Sequence, residues 1–402
     1  MHVRTKYVEK ITPYINKPVI KVITGMRRVG KSVFLKQIMD FLKTKKVNKR
    51  NILYINKESL DFDFIKDYHD LNSFVKKEFV KVSGKKYLFI DEVQEIKFWE
   101  KAVISFFTEK NIDIYITGSN AHLLSSELAT YISGRYVELQ IFPLSFEEFL
   151  EFRSDKKNTI DDEFANFVKY GGLPVIHEFE LKEDVIYPYV FAIYNTILMK
   201  DVILKYEIRN PQLLENITKF VFDNIGNVFS AKKISDYLKS QKIKVGVDTI
   251  QDYLMYLTST YMISKVSRYN IKGKKNLEIN EKYFLGDIGI RHALIGYRDS
   301  DIAGILENIV FLELKRRGYK VSVGKIYDLE VDFIAEKEHE KIYVQVSYLL
   351  SSKETIEREF NSLRKIKDNY PKYVLTMDKI FGEDFDGIKR INIIDFLLAK
   401  NN

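Results

Sequence analysis

Four short stretches of the chain are almost unbroken runs of apolar and β-branched residues: "VIKVIT" (19–24), "NILYIN" (51–56), "KYLFID" (86–91) and "DIYITG" (113–118). Runs of this length without polar alternation suit parallel strands buried on both faces. Between them lie segments with helical spacing, "KSVFLKQIMDFLK" (31–43) and "FWEKAVISFFTEK" (98–110). Strand and helix in alternation predict a parallel α/β sheet with right-handed crossovers, closed by a further strand in "RYVELQIF" (135–142).

The pattern then changes. Residues 143–228 read as mostly helical, broken by "GGLP" (171–174). Residues 229–298 read as two helices, "SAKKISDYLKSQ" and "VDTIQDYLMYLTSTYMI", followed by two alternating runs around Gly273, which is a hairpin signal. Helix, turn, helix, hairpin is the order of a winged helix. From 299 to 402 a helix, "AGILENIVFLELKRRG", leads into three strand patterns, another helix and the strand "KYVLTM" (372–377). These readings divide the chain into a core at 1–142, a helical lid at 143–228, a winged-helix module at 229–298 and an α/β domain at 299–402, with "GYRDSD" (296–301) as the last seam.

Composition narrows the classes. With 402 residues and 46% hydrophobic content the chain can bury two or three cores. It has no cysteine, which excludes disulfides and thiolate metal sites and fits a reducing compartment. No apolar run approaches the roughly 18 residues of a membrane span. A cytoplasmic protein with no membrane contact is expected. The six histidines are scattered, and no pair has helical metal-ligand spacing. The net charge of +8 favours polyanionic partners, DNA among them, although a solvated lysine surface has the same composition.

Residues 25–32, Gly25-Met26-Arg27-Arg28-Val29-Gly30-Lys31-Ser32, fit G-x-x-x-x-G-K-[ST] after a strand and before a helix. Glycines there let backbone N–H groups curl around a phosphate; Gly25, Arg28, Val29, Gly30 and Val33 line the candidate cradle. Lys31 reaches the β/γ oxygens and Ser32 ligates Mg2+. Arg27 and Arg28 are not required by that geometry; nucleotide, a neighbouring chain and solvent are all open to them. The run "YLFIDE" delivers Asp91 at a strand end, placed to hold Mg2+ through water, with Glu92 beside it to polarise the attacking water. "IYITGSN" brings Thr117, Ser119 and Asn120 to another strand tip, either to orient water or to cap a helix at "AHLLSSEL". Arg135 in "SGRYVEL" is read either as an arginine finger, in cis or on a neighbour, or as a structural ion pair.

Together, "GMRRVGKS", "YLFIDEVQ", "YITGSN", "SGRY" and "GGLP" resemble the AAA-type P-loop ATPases of bacteria and archaea, relatives of the STAND and archaeal ATPase groups, that carry a C-terminal PD-(D/E)xK nuclease-like domain. The resemblance implies ATP and Mg2+, with Gly30, Lys31 and Ser32 as the P-loop core, Asp91 as the magnesium-site acid and Glu92 as the catalytic base. It also implies that Pro174 of "GGLP" contacts the adenine. The last domain would then be restriction-endonuclease-like. Mapped by order, Glu307 is its helix acid and Asp332 its strand acid, but the chain reads Gln345-Val346-Ser347 where acid-x-Lys belongs. Loss of an acid and the lysine predicts little or no cleavage, unless Lys341 or Lys353 substitutes. In the hairpin, Arg268, Tyr269, Lys272, Lys274 and Lys275 are candidate phosphate contacts. The expected function is Mg2+-dependent ATP hydrolysis coupled to DNA contact, in a homo-oligomer if Arg135 acts across an interface. The alternatives are an ATP-dependent regulatory or defence switch acting on a protein partner, and an active metal-dependent nuclease.

Overall fold

The computed structural model describes residues 2–121, 134–154, 157–379 and 384–399, without the side chains of 277–280. The chain divides into two compact units, 1–141 and 142–402. The helix expected at "AHLLSSEL" lies outside the described residues.

In the first unit, α1 (Thr5–Ile11) precedes β1 (Ile20–Thr24), α2 (Lys31–Thr44), β2 (Ile52–Asn56), α3 (Tyr68–Phe79), β3 (Lys86–Asp91), α4 (Trp99–Thr108), β4 (Ile112–Thr117) and β5 (Tyr136–Gln140). The sheet order is β2-β3-β4-β1-β5, and every pairing is parallel. All residues of β1 and β4 are buried, as the unbroken apolar runs predict. Ile20, Val22, Leu88, Ile90, Ile114 and Ile116 pack against Val75, Phe79, Trp99, Val103 and Phe106 of the flanking helices. Lys21, the one cation in β1, is fully buried because Asp113 of β4 pairs with it. Asp113 also accepts from the Tyr115 hydroxyl (2.8 Å) and the Asn16 amide (3.0 Å).

The second unit opens with α5 (Phe146–Phe152), α6 (Ile160–Tyr170), α7 (Glu183–Thr196) and α8 (Pro211–Asp223). Ser145 with Glu148, and Thr159 with Asp162, form capping boxes that start α5 and α6. Then come β6 (Val228–Phe229), α9 (Ala231–Ser240), α10 (Val247–Ser259), the hairpin β7 (Ile263–Asn270) and β8 (Lys275–Leu285), α11 (Ile288–Ile295) and α12 (Ile302–Arg316). The rest is β9 (Lys320–Ile326), β10 (Leu329–Lys337), β11 (Glu340–Ser347), α13 (Lys353–Arg364), β12 (Lys372–Thr376), β13 (Lys389–Asn392) and α14 (Ile393–Leu398). One eight-stranded sheet runs β13-β12-β11-β10-β9-β7-β8-β6. The hairpin is therefore part of this larger sheet. Arg268, Tyr269 and Asn270 pair in parallel with Val323, Gly324 and Lys325, so the seam expected at 296–301 is no break in the sheet.

Candidate functional site

The chain between β1 and α2 forms a tight loop because its glycines take up space and angles that other residues cannot. Gly25 has φ +139°, and a Cβ there would lie 2.3 Å from the Ile141 carbonyl oxygen. Gly30 (φ +97°) and Arg28 (φ +69°) are also left-handed, which turns successive N–H groups to one side. Val29 is buried, Ser32 half-buried, and Arg28 and Val33 are exposed. Lys31 folds back on the loop, donating to the Gly25 (3.0 Å) and Met26 (3.2 Å) carbonyls, with Glu92 Oε1 at 3.8 Å.

Opposite the loop, Asp91 ends β3 and Glu92 follows it in a left-handed conformation (φ +53°). The Thr117 hydroxyl joins the two: it donates to Asp91 Oδ1 and accepts from the Glu92 amide at 2.9 Å. Tyr54 donates to Asp91 Oδ2 (2.8 Å), and Gln94 donates to Glu92 Oε2. Burial, and then the Asp91 charge, push the Tyr54 hydroxyl well above its ordinary value, so it remains a donor. Because β4 lies between β1 and β3, Thr117 sits between the loop and the acidic pair. Ser119 and Asn120, just beyond, are buried. The structure thus brings Lys31, Asp91, Glu92 and Thr117 into one bonded group. Tyr54 and Gln94 were not singled out from sequence; an aromatic hydroxyl inside the strand run next to β3 was the available signal. Arg4 was also missed: its buried guanidinium donates to the Val29 carbonyl (3.3 Å), bracing the loop from the N-terminal segment.

Arg135 falls elsewhere. Its carbonyl bonds the Ile20 amide at the start of β1, whereas the loop follows the end of that strand, about 16 Å away at a strand's rise per residue. The structure therefore does not fit a finger acting in cis. At that end Arg135 lines a cavity of about 460 Å³ with Lys17, Lys85 and Lys110. Arg27 is half-buried, with Glu58 at 3.4 Å.

In the second unit "GGLP" has a packing role. Asp287 Oδ2 accepts from the Gly172 amide (2.7 Å), and a Cβ on Gly171 would lie 2.4 Å from Asp287 Oδ1. A Cβ on Gly172 would meet the Leu144 carbonyl oxygen at 2.6 Å. Pro174, half-buried, opens a short 3-10 turn at Pro174–Glu178.

Glu307 on α12 and Asp332 on β10 do come together, but around a lysine that was not anticipated. Lys282 of β8 is buried, with its Nζ 2.7 Å from Glu307 Oε1, 2.7 Å from Glu330 Oε1 and 3.9 Å from Asp332 Oδ1. Gln345 makes other bonds: its oxygen accepts from the Asp332 amide (3.3 Å) and its Nε2 donates to Glu359 (2.9 Å). Neither proposed substitute lysine takes part. Lys341 pairs with Glu336 (3.2 Å), and Lys353 is exposed at the start of α13. Burial works against charge on Lys282, but Glu307, Asp332 and Glu330 outweigh it and hold the ammonium protonated well above its ordinary value. Burial raises Glu307 and Asp332, and Lys282 opposes the rise in both. Among the described residues, no group of three or more His, Cys, Asp or Glu is arranged to hold a metal ion.

Comparison with known proteins places the chain in a class. Residues 17–150 match the family model described as an AAA domain, and residues 161–301 match a domain of unknown function (DUF8612). An uncharacterized protein of Haemophilus influenzae is 38% identical over 399 residues, covering 98% of each chain. An uncharacterized protein of Methanocaldococcus jannaschii is 31% identical over 397 residues, covering 94% of this chain and 85% of its own. The chain belongs to the family these two proteins represent, and its own residues 17–150 form an AAA-type P-loop domain. Among solved structures, the Aeropyrum pernix ORC1 protein in complex with DNA aligns over 72% of this chain and 90% of its own at 12% identity, with a TM-score of 0.32, a likeness too distant to bear on function. Among the described residues no helix is long and apolar enough to cross a membrane.

Proposed function

We propose that the protein binds ATP with Mg2+ and hydrolyses it. The observation that carries this reading is the bonded group of Lys31, Glu92, Thr117 and Asp91 facing a loop in which a Cβ on Gly25 has no room. Lys31 exchanges the Gly25 and Met26 carbonyls for β/γ oxygens of ATP, and the loop amides from Gly25 to Val33 bind the remaining charge. Mg2+, when bound, neutralises charge building on the phosphates; Ser32 and Asp91 are the residues that fit it. Glu92 accepts the proton of the water that attacks the γ-phosphorus, yielding ADP and phosphate. Gln94 holds its carboxylate, and Thr117 holds its backbone amide. Pro174 is assigned to the adenine, and Arg135 to the nucleotide of a neighbouring copy in a homo-oligomer. Glu92→Gln should leave ATP binding intact and lower turnover by about 100-fold or more, and Lys31→Ala should weaken binding itself. Wild-type turnover in Glu92→Gln refutes the assignment.

The order α8, β6, α9, α10, β7, β8, with β6 on β8, supports a winged-helix reading of that region, and the helix-plus-strands order after it supports a nuclease-like one. Polyanion contact is assigned to phosphates: Lys232, Lys233 and Lys239 on α9, Lys274 in the hairpin turn and Lys275 at the start of β8 are exposed. Arg268, in contrast, is within 3.9 Å of Glu330, and Tyr269 packs into a core. A protein-contact switch is the second reading, because the exposed residues of α10 include Val247, Asp248, Asp252 and Met255, which suit a protein better than the phosphates flanking a major groove. Titration of a labelled DNA duplex across salt separates them: phosphate contacts weaken steeply with ionic strength, and no binding at low salt favours the switch.

A further inference from the structure

We propose that the ammonium of Lys282 occupies the place of a divalent cation among Glu307, Glu330 and Asp332, so that this centre carries its own cation and is closed to metal. The geometry assembles these groups from distant parts of the second unit. Lys282 comes from β8, Glu307 from α12, and Glu330 and Asp332 from β10. The cluster is built for this contact. A β-bulge between Val331 and Ile334 interrupts the β9–β10 register at Asp332, the kind of irregularity that re-aims a side chain. Gly226 (φ +75°) leaves room for Glu307; a Cβ there would lie 2.8 Å from Glu307 Oε2. The far oxygen of Asp332 is fixed by the Val346 amide at 2.8 Å.

Three carboxylates converge on one point, Glu307 and Asp332 buried and Glu330 half-buried, and a cation there is what stabilises them as anions. In hard-cation sites a divalent ion supplies it, held by several oxygens at once. Here the cation is covalently part of the chain, and a tethered ammonium cannot be diluted away or polarise a coordinated water as a metal does. Cleavage chemistry that needs a divalent ion is accordingly shut out of this centre, and Gln345, placed where the acid-x-Lys pattern would put a second acid, instead links Asp332 to Glu359. The inference does not depend on the ATP site, and failure of either leaves the other standing.

The test is Mn2+ binding to the full-length protein without nucleotide, followed by electron paramagnetic resonance of the free ion. Wild type should bind no Mn2+ at this centre. Lys282→Met, which keeps an apolar stem and removes the charge, should gain one Mn2+ site that wild type lacks, lost again in Lys282→Met with Asp332→Asn. A wild-type Mn2+ site abolished by Asp332→Asn overturns the proposal, as does a folded Lys282→Met that gains none. If Lys282→Met melts early, about 1 mM Mn2+ should raise its melting temperature while leaving wild type unmoved. No rise in the variant counts against the proposal.

Discussion

Thr117→Val removes one hydroxyl and almost no volume, so its effect isolates the bonds that hydroxyl makes. The charge-assisted bond to Asp91 is worth about 1.5–3 kcal/mol, and stranding the buried Glu92 amide costs about 1–3 kcal/mol. One atom serves both, so the two do not simply add; about 3 kcal/mol is expected. Tyr54 still bonds Asp91, which keeps the figure from rising further. Glu92 is the residue most affected, because its left-handed backbone is held partly by that amide bond. Once released, its carboxylate loses its fixed relation to Lys31 and Gln94, and ATP turnover should fall by about 100-fold. The chain supplies its own reporter. Its single tryptophan, Trp99, is 5% exposed in the core of the first unit, so its emission during urea unfolding follows that unit alone. With a slope of about 2 kcal/mol per molar urea, the midpoint should drop by about 1.5 M. Thr117→Ser, which keeps the hydroxyl, should recover most of both effects. A midpoint within about 0.3 M of wild type together with unchanged turnover refutes the role given to Thr117.

Asp113→Ala should lower the stability of the first unit by about 3–5 kcal/mol on the same Trp99 signal, since it strands the Lys21 ammonium in the sheet; adding Lys21→Met should recover much of the loss. Burial, reinforced by the Arg291 charge, pulls His292 down to about 4 from its ordinary 6.5. A base depressed in the folded state contributes stability that is present above 6.5 and lost as the pH falls toward 4, on the order of 3 kcal/mol. Asp287, pushed up to about 6 by burial, runs the other way and loses stability as the pH rises through that value, so the quantity to measure is wild type minus His292→Gln, by circular dichroism from pH 7 to 4. Gly171→Ala should lower the melting temperature measurably, because it adds a Cβ 2.4 Å from Asp287 Oδ1 at a φ of +78°.

What was legible in the sequence was local. The P-loop, Asp91 and Glu92 could be read because each sits at the end of an unbroken apolar run, and such a run fixes where the backbone emerges. Arg135 shows what adjacency alone misses. It borders a strand, but it borders the start of β5, and in an all-parallel sheet strand starts lie opposite the loop-bearing ends. Lys282 was illegible for a different reason. Its partners are contributed by α12 and β10, and only the pairing of β7 with β9 brings β8 near them. No periodicity records a pairing between segments so far apart. The same pairing was equally illegible from the hairpin itself. Its alternating pattern is that of any half-buried strand pair, and nothing in it names the strand that will cover its edge.

That covered edge bears on how the chain could have been assembled and how it can be cut. A protein ending in the 296–301 stretch would retain the hairpin but lose β9, leaving β7 with unpaired amides and carbonyls beside Ile271, an open edge of the kind that recruits other chains into aggregates. Lys282 would lose Glu307, Glu330 and Asp332 together. Residues 302–399 therefore do not behave as a detachable tail that could be lost or exchanged at one crossover; selection on the hairpin is selection on them as well.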